Sequence, residues 1–320
     1  MNYNLILLIL ANLAFSSCEK DGPGQSTPPA TIDNSPKIIT VEKDAISVNV
    51  MGLESSQRPI FPSLNPIPVK VRGYVKDIAG KPLQGAVIGI RSSYLAGYYS
   101  SGQGITDSKG YYEFTPPKGM AEYYLAGYKI AWGSGLAALS LHPADGKMES
   151  FVTTDGAVEN FVLLPYGITS QEALQTNPHN PSTYYGAAIN LSWYSAEDDD
   201  DNAPSFAVKE GALLEIVLAP RSKTMDGASG RTITIRKKAG IRGSFRIHNI
   251  PLGEYDISVK ANGQNLKLKD NSSGIRPYGM TPHETSSTGK IIFWPDQADP
   301  SMVAPQVGYW RWVDIRLESQ

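Results

Sequence analysis

Cysteine is almost absent: Cys18 is the single one in 320 residues. One thiol cannot close an internal disulfide, so the fold must hold by packing alone. Long apolar runs are missing beyond the N-terminus, and no later segment is long enough to cross a bilayer as a helix. An excess of one charge sign is missing too. With a net charge of −2 and its lysines and arginines scattered, the chain lacks the basic face that nucleic acid requires. The four histidines, His142, His179, His248 and His283, show no metal-ligand spacing, so no zinc site and no cofactor are expected. There is no G-x-S-x-G elbow, no H-E-x-x-H, no Walker loop and no dinucleotide fingerprint.

What is present begins with the uncharged block Leu5 to Leu10, of a length that suits the apolar region of a secretory signal. Ser16 and Ser17 stand directly before Cys18. This arrangement resembles the lipobox of bacterial lipoproteins. The resemblance implies that residues 1–17 are a lipoprotein signal peptide and that Cys18 becomes the acylated N-terminus. An ordinary signal peptide with an incidental cysteine, or an uncut anchoring helix, would use the same apolar run. Glu19-Lys20-Asp21 resembles the short charged export signal of surface lipoproteins of the Bacteroidetes. The expected location is therefore the outer membrane, held by lipid, on the cell surface or facing the periplasm. Gly22 to Pro36 is rich in Gly, Pro, Ser and Thr and cannot bury enough apolar surface to fold, so residues 18–40 are expected to be a flexible tether.

Beyond the tether, β-branched and aromatic runs recur between Gly and Pro turn signals, and the chain is expected to be all-β. No convincing amphipathic helix is present; the best candidate is a turn or two around Ser170 to Gln175. In Val69 to Asp77, Val69, Val71 and Val75 share one face while Lys70, Arg72, Tyr74 and Lys76 share the other. Period two predicts a half-buried strand. A turn at Ala79 to Leu83, a return strand Gly85 to Ile90 and a second turn Thr106 to Gly110 follow, leading into Tyr112 and Phe114.

Gly73, Val75, Asp77, Gly80, Pro82, Leu83, Gly85, Ala86, Thr106, Asp107, Gly110, Tyr112, Phe114 and Gly119 together resemble the pattern of the carboxypeptidase regulatory-like domain. That domain is a small transthyretin-like β-sandwich of the carbohydrate-binding-like fold group. The resemblance implies such a sandwich over residues 66–166, used as a structural or binding module and carrying no catalytic residue. Gly80 and Gly110 are then backbone requirements. Phe245 to Val259, with Asn249-Ile250-Pro251 and Gly253, resembles the second half of the same pattern and implies a divergent second sandwich over residues 208–320. The expected architecture is two small transthyretin-like or Ig-like sandwiches in tandem.

Residues 167–207 read as a connector with an acidic loop. In that loop Asp198, Asp199, Asp200 and Asp201 could ligate calcium or simply form a solvated turn. Two sandwiches of this size rarely form a deep cleft, and the chain is not expected to be an enzyme. Tyr94, Tyr98, Tyr99, Tyr123, Tyr124, Tyr128, Trp132, Trp193 and Tyr194 are core or surface rings that the sequence does not sort.

The sharpest candidate is the last strand. Period two places Val313, Ile315 and Leu317 on the core side, and Trp310, Trp312, Asp314 and Arg316 together on the other. Those four could form a glycan-binding platform; alternatively the indoles pack beneath the segment from Ser273 to Pro305 or against the first sandwich. The expected function is a non-enzymatic cell-envelope lipoprotein that binds glycans, a polysaccharide being its partner. A structural or assembly lipoprotein binding another envelope protein through its sheets is the alternative.

Overall fold

Alternation decides the strand Val71–Asp77: Val71, Gly73 and Val75 are buried while Arg72, Tyr74 and Lys76 remain half-buried. A computed structural model describes residues 35–53, 58–95, 97–196, 204–225, 227–241, 243–272 and 278–319. They belong to Asp33–Gln320, one of the two compact units of the chain. Among the described residues the fold is all-β, with the short helix Gln171–Thr176 and two single 3-10 turns. Ser170 caps that helix by accepting from the Ala173 N–H. Residues 1–17, Cys18 and the acidic run Asp198 to Asp201 lie outside the described residues.

The N-terminal sandwich packs two sheets. In one, Val87–Leu95 lies between Tyr98–Ile105 and Met120–Trp132, and Gly135–Ser140 and Phe151–Val152 pair with Met120–Trp132 as well. The other centres on Val71–Asp77, joined by Tyr111–Phe114, Ala157–Val158 and Phe161–Leu163. Tyr123 and Phe161 meet edge-on between the sheets, 5.7 Å apart.

The motif residues earn their places through the backbone. Thr106 Oγ1 donates to the Leu83 carbonyl at 2.6 Å and accepts from the Ala86 N–H at 2.8 Å, tying the two turns together. Asp107 Oδ1 accepts from the N–H groups of Lys109 and Tyr111 at 2.8 and 2.9 Å. Gly110 has φ of 71°, and a Cβ there would stand 2.4 Å from the Val75 carbonyl oxygen.

The C-terminal sandwich also has two sheets. One runs Lys37–Val41, Ile233–Lys238, Leu213–Pro220, Tyr255–Ala261, Thr288–Ile292, Gly279–Thr281. The other runs Ser47–Asn49, Ser244–Ile250, Ala187–Trp193, Trp310–Glu318, Lys267–Asp270, with Trp294–Pro295 also on Trp310–Glu318.

Two boundaries differ from expectation. Of the tether expected over 18–40, residues 18–34 lie outside the described residues and Lys37–Val41 is a strand, pairing in parallel with Ile233–Lys237 and setting Ile39 and Val41 against the core. The buried ammonium of Lys237 secures the next residues by donating to the carbonyls of Glu42 and Lys43. Nor is 167–207 only a connector: Ala187–Trp193 runs through the middle of a sheet, with Ala187, Ile189 and Leu191 fully buried. Neither pairing is local. Each strand meets partners many tens of residues away, which period two cannot reveal.

The sandwiches share a core. After Trp294 the chain leaves the C-terminal sandwich's own sheets and lies on the N-terminal one. There Ala126 N–H bonds to the Val303 carbonyl at 3.0 Å, Ala138 N–H to Gln297 at 2.8 Å, and Ser140 Oγ to Ala304 at 2.8 Å. Trp132 Nε1 donates to the Phe293 carbonyl at 2.9 Å.

Candidate functional site

On the last strand, Val313, Ile315 and Leu317 are fully buried in the C-terminal sandwich. Its opposite face belongs to the outside of the sheet, where residues from adjacent strands stand side by side. Ser47 is opposite Arg246, Arg246 opposite Asn190, and Asn190 opposite Asp314, giving one polar row across four strands. A parallel row runs Ser244, Ser192, Arg316, Lys269. On the other flank, Asn49 faces His248 and Ala188 faces Trp312.

Trp312 is half-buried on this face. Its ring lies 4.9 Å from that of His248, and the Arg246 guanidinium stands 5.6 Å from its centroid, within cation–π reach. Two open hollows flank the indole. One, of about 430 Å³, is lined by Ser182, Ser272, Trp294, Asp296, Trp312 and Asp314. The other, of about 410 Å³, is lined by Asn177, His179, Asn180, Arg246 and Trp312. Asn180 and Pro181 border both.

Asp314 is half-buried, with Oδ1 accepting from Asn190 Nδ2 at 2.8 Å. Arg316 is engaged by Glu318 at 2.7 Å, with the rings of Phe206 and Tyr194 at 5.8 and 6.0 Å. Trp310 departs from the expected platform. It is only 4% exposed, its Nε1 donates to the Tyr185 carbonyl at 3.1 Å, and Trp132 of the N-terminal sandwich stands edge-on to it. A buried indole with its N–H satisfied is a core ring. The packing alternative therefore holds for Trp310, and its partner is a ring from the other sandwich.

His248 and Arg246 are the residues that sequence reasoning overlooked here. Period two in Ser244–Ile250 gives Phe245 and Ile247 to the core and so Arg246 and His248 to the outer face; that signal was available. His248 is nonetheless fully buried, roofed by Trp312 and Tyr184, with neither ring nitrogen bonded. Burial, with His179 and Arg246 nearby, lowers its pKa to about 3, so the ring under Trp312 is neutral.

Elsewhere, His142 bonds Arg58 at 2.8 Å and Tyr185 at 3.0 Å, and His283 faces Asp270 at 2.5 Å. Among the described residues no three His, Cys, Asp or Glu side chains gather as a metal would need. Of the unsorted rings, Tyr123 and Trp193 are buried, whereas Tyr98, Tyr99 and Tyr194 are exposed.

No protein-family model matches the chain. No curated protein matches it either. Among solved structures, a double mutant of the shaft pilin SpaA from Lactobacillus rhamnosus GG is 10% identical over 78% of this chain and 97% of that one, with a TM-score of 0.21. The minor pilin GBS52 of Streptococcus agalactiae is 12% identical over 89% and 96%, at 0.22. Chlorocatechol 1,2-dioxygenase from Pseudomonas putida is 16% identical over 42% and 69%, at 0.16. Superpositions this poor carry no argument about function.

Proposed function

We propose that this chain is a non-enzymatic envelope lipoprotein, anchored through Cys18, whose C-terminal sandwich binds glycans on its outer sheet face. The observation that carries the reading is the half-buried indole of Trp312 between two open hollows, bordered by the row Ser47, Arg246, Asn190 and Asp314. A sugar offers a C–H face to an aromatic ring and hydroxyls to amides and carboxylates, and this face presents both. Hollows that are broad and open suit a polymer lying across a surface better than a small substrate enclosed for chemistry. In affinity electrophoresis through gels containing polysaccharide, Trp312→Ala is expected to lose the retardation that the native protein shows. Equal retardation of both would end the reading.

The anchoring part rests on Ser16, Ser17 and Cys18. None of the described residues forms a helix long and apolar enough to cross a membrane. Cys18→Ser is expected to leave the membrane fraction after alkaline washing; retention like that of the native chain would refute lipid attachment.

A second reading has its own observation. Tyr98–Ile105 is a sheet edge of eight residues without charge or proline, and Tyr98, Tyr99 and Ile105 are exposed on it. Such an edge can accept a strand from an envelope protein. Ser101→Pro would then abolish partner capture without altering polysaccharide retardation.

A further inference from the structure

The two hollows beside Trp312 differ in charge. The larger contains Asp296 and Asp314, and its one guanidinium, Arg311, is paired with Asp296 at 2.6 Å. The smaller contains Arg246 and His179 and no carboxylate. Three other strand arginines meet an acid, Arg91 facing Glu122, Arg236 facing Glu215 at 3.0 Å and Arg316 facing Glu318 at 2.7 Å, while Arg72 lies over the Tyr111 ring. Arg246 is exposed and has no such partner among the described residues. It lies over Trp312 instead, and Asn190 separates it from Asp314. His179 is held beside it, its Nδ1 2.7 Å from Ser47 Oγ, and Ser47 is itself opposite Arg246 on the neighbouring strand.

A planar cation that no acid neutralises, set at the edge of an aromatic platform, is a receptor for a carboxylate or sulfate carried by the ring stacked there. Resting on the glycan-binding reading above, we infer that the ligand is an acidic polysaccharide. One sugar ring covers Trp312, its anionic group reaches Arg246 in the smaller hollow, and neutral hydroxyls of the next residue meet Asp314, Ser272 and Ser182 in the larger. Asp314 and Asp296 then act against a second anion, so the face favours one charge per stacked position over a densely sulfated chain.

The test is affinity electrophoresis of the full chain in gels containing polygalacturonate, alginate, chondroitin sulfate, xylan or galactomannan. At least one acidic gel is expected to retard the native protein, Arg246→Gln to weaken that retardation about tenfold or more, as the loss of a charge-assisted contact does, and Lys81→Gln, an equal charge change in the N-terminal sandwich, to leave it intact. Retardation in neutral gels alone, lost in Trp312→Ala but kept in Arg246→Gln, would overturn this inference while the glycan-binding reading stands. Equal retardation of Arg246→Gln and the native protein in the acidic gels would also overturn it. No retardation in any gel would remove both.

Discussion

The indole of Trp132 stands edge-on to that of Trp310, 5.2 Å between centroids, so a ring from the N-terminal sandwich closes over the last strand of the C-terminal one. This contact separates two tryptophans that lie two residues apart on the same face: Trp310 is covered and Trp312 is left half-open. It also makes the two sandwiches one cooperative body, since the segment after Trp294 is hydrogen-bonded to the first sandwich while its flanking strands belong to the second.

Trp310→Ala is expected to cost about 3–5 kcal/mol, the range for removing a large buried aromatic, and Trp312→Ala about 1 kcal/mol, in keeping with a half-buried ring on the outer face of the sheet. Calorimetry should show one transition for both variants. Two separated transitions in the native protein would contradict the shared core.

Gly110 and Gly253 occupy turns that look equivalent in sequence. At Gly110, a side chain would meet the Val75 carbonyl at 2.4 Å in a backbone with positive φ; at Gly253, the nearest atom to an added Cβ is Tyr255 Cε2 at 3.6 Å, an ordinary contact. Gly110→Ala should therefore lower the melting temperature clearly and Gly253→Ala only slightly. A larger fall for Gly253→Ala would show that the turn at Gly110 is misassigned.

Local chemistry was legible in the sequence wherever it acts through neighbours. The Thr106-Asp107 turn, the turn or two of helix near Ser170, and the burial of Val313, Ile315 and Leu317 all follow from residue type and spacing. Long-range pairing was not. Lys37 to Val41 carries a β-branched run, yet its parallel partner begins at Ile233, and nothing in periodicity names that partner. The same limit put Trp310 with Trp312. Period two assigns a side chain to a face, and the cover over that face comes from Trp132 in another sandwich.

Stability should depend on pH in two opposed ways. Burial lowers His142 to about 4 and His248 to about 3, so between about pH 6.5 and 4 the unfolded chain binds protons that the fold refuses, and stability falls as the pH drops through that window. Glu159 acts in reverse. Burial, helped by Asp145, pushes it up to about 8; its contribution is full below about pH 4.5 and is lost as the pH rises through 8. Glu159→Gln is expected to raise the melting temperature at pH 8 and leave it nearly unchanged at pH 4, while His248→Phe flattens the acid side. Parallel pH profiles for native protein and both variants would contradict these environments.

Of the five tryptophans, Trp312 is the one proposed to meet sugar. The indole N–H resonances of Trp132, Trp193, Trp294, Trp310 and Trp312 can be followed separately in a nitrogen-15 correlation spectrum while an oligosaccharide from a retarding polysaccharide is added. Saturable movement of the Trp312 signal, a smaller one for Trp294, and stationary Trp193 and Trp310 signals are expected. A stationary Trp312 signal while the oligosaccharide binds would contradict that role.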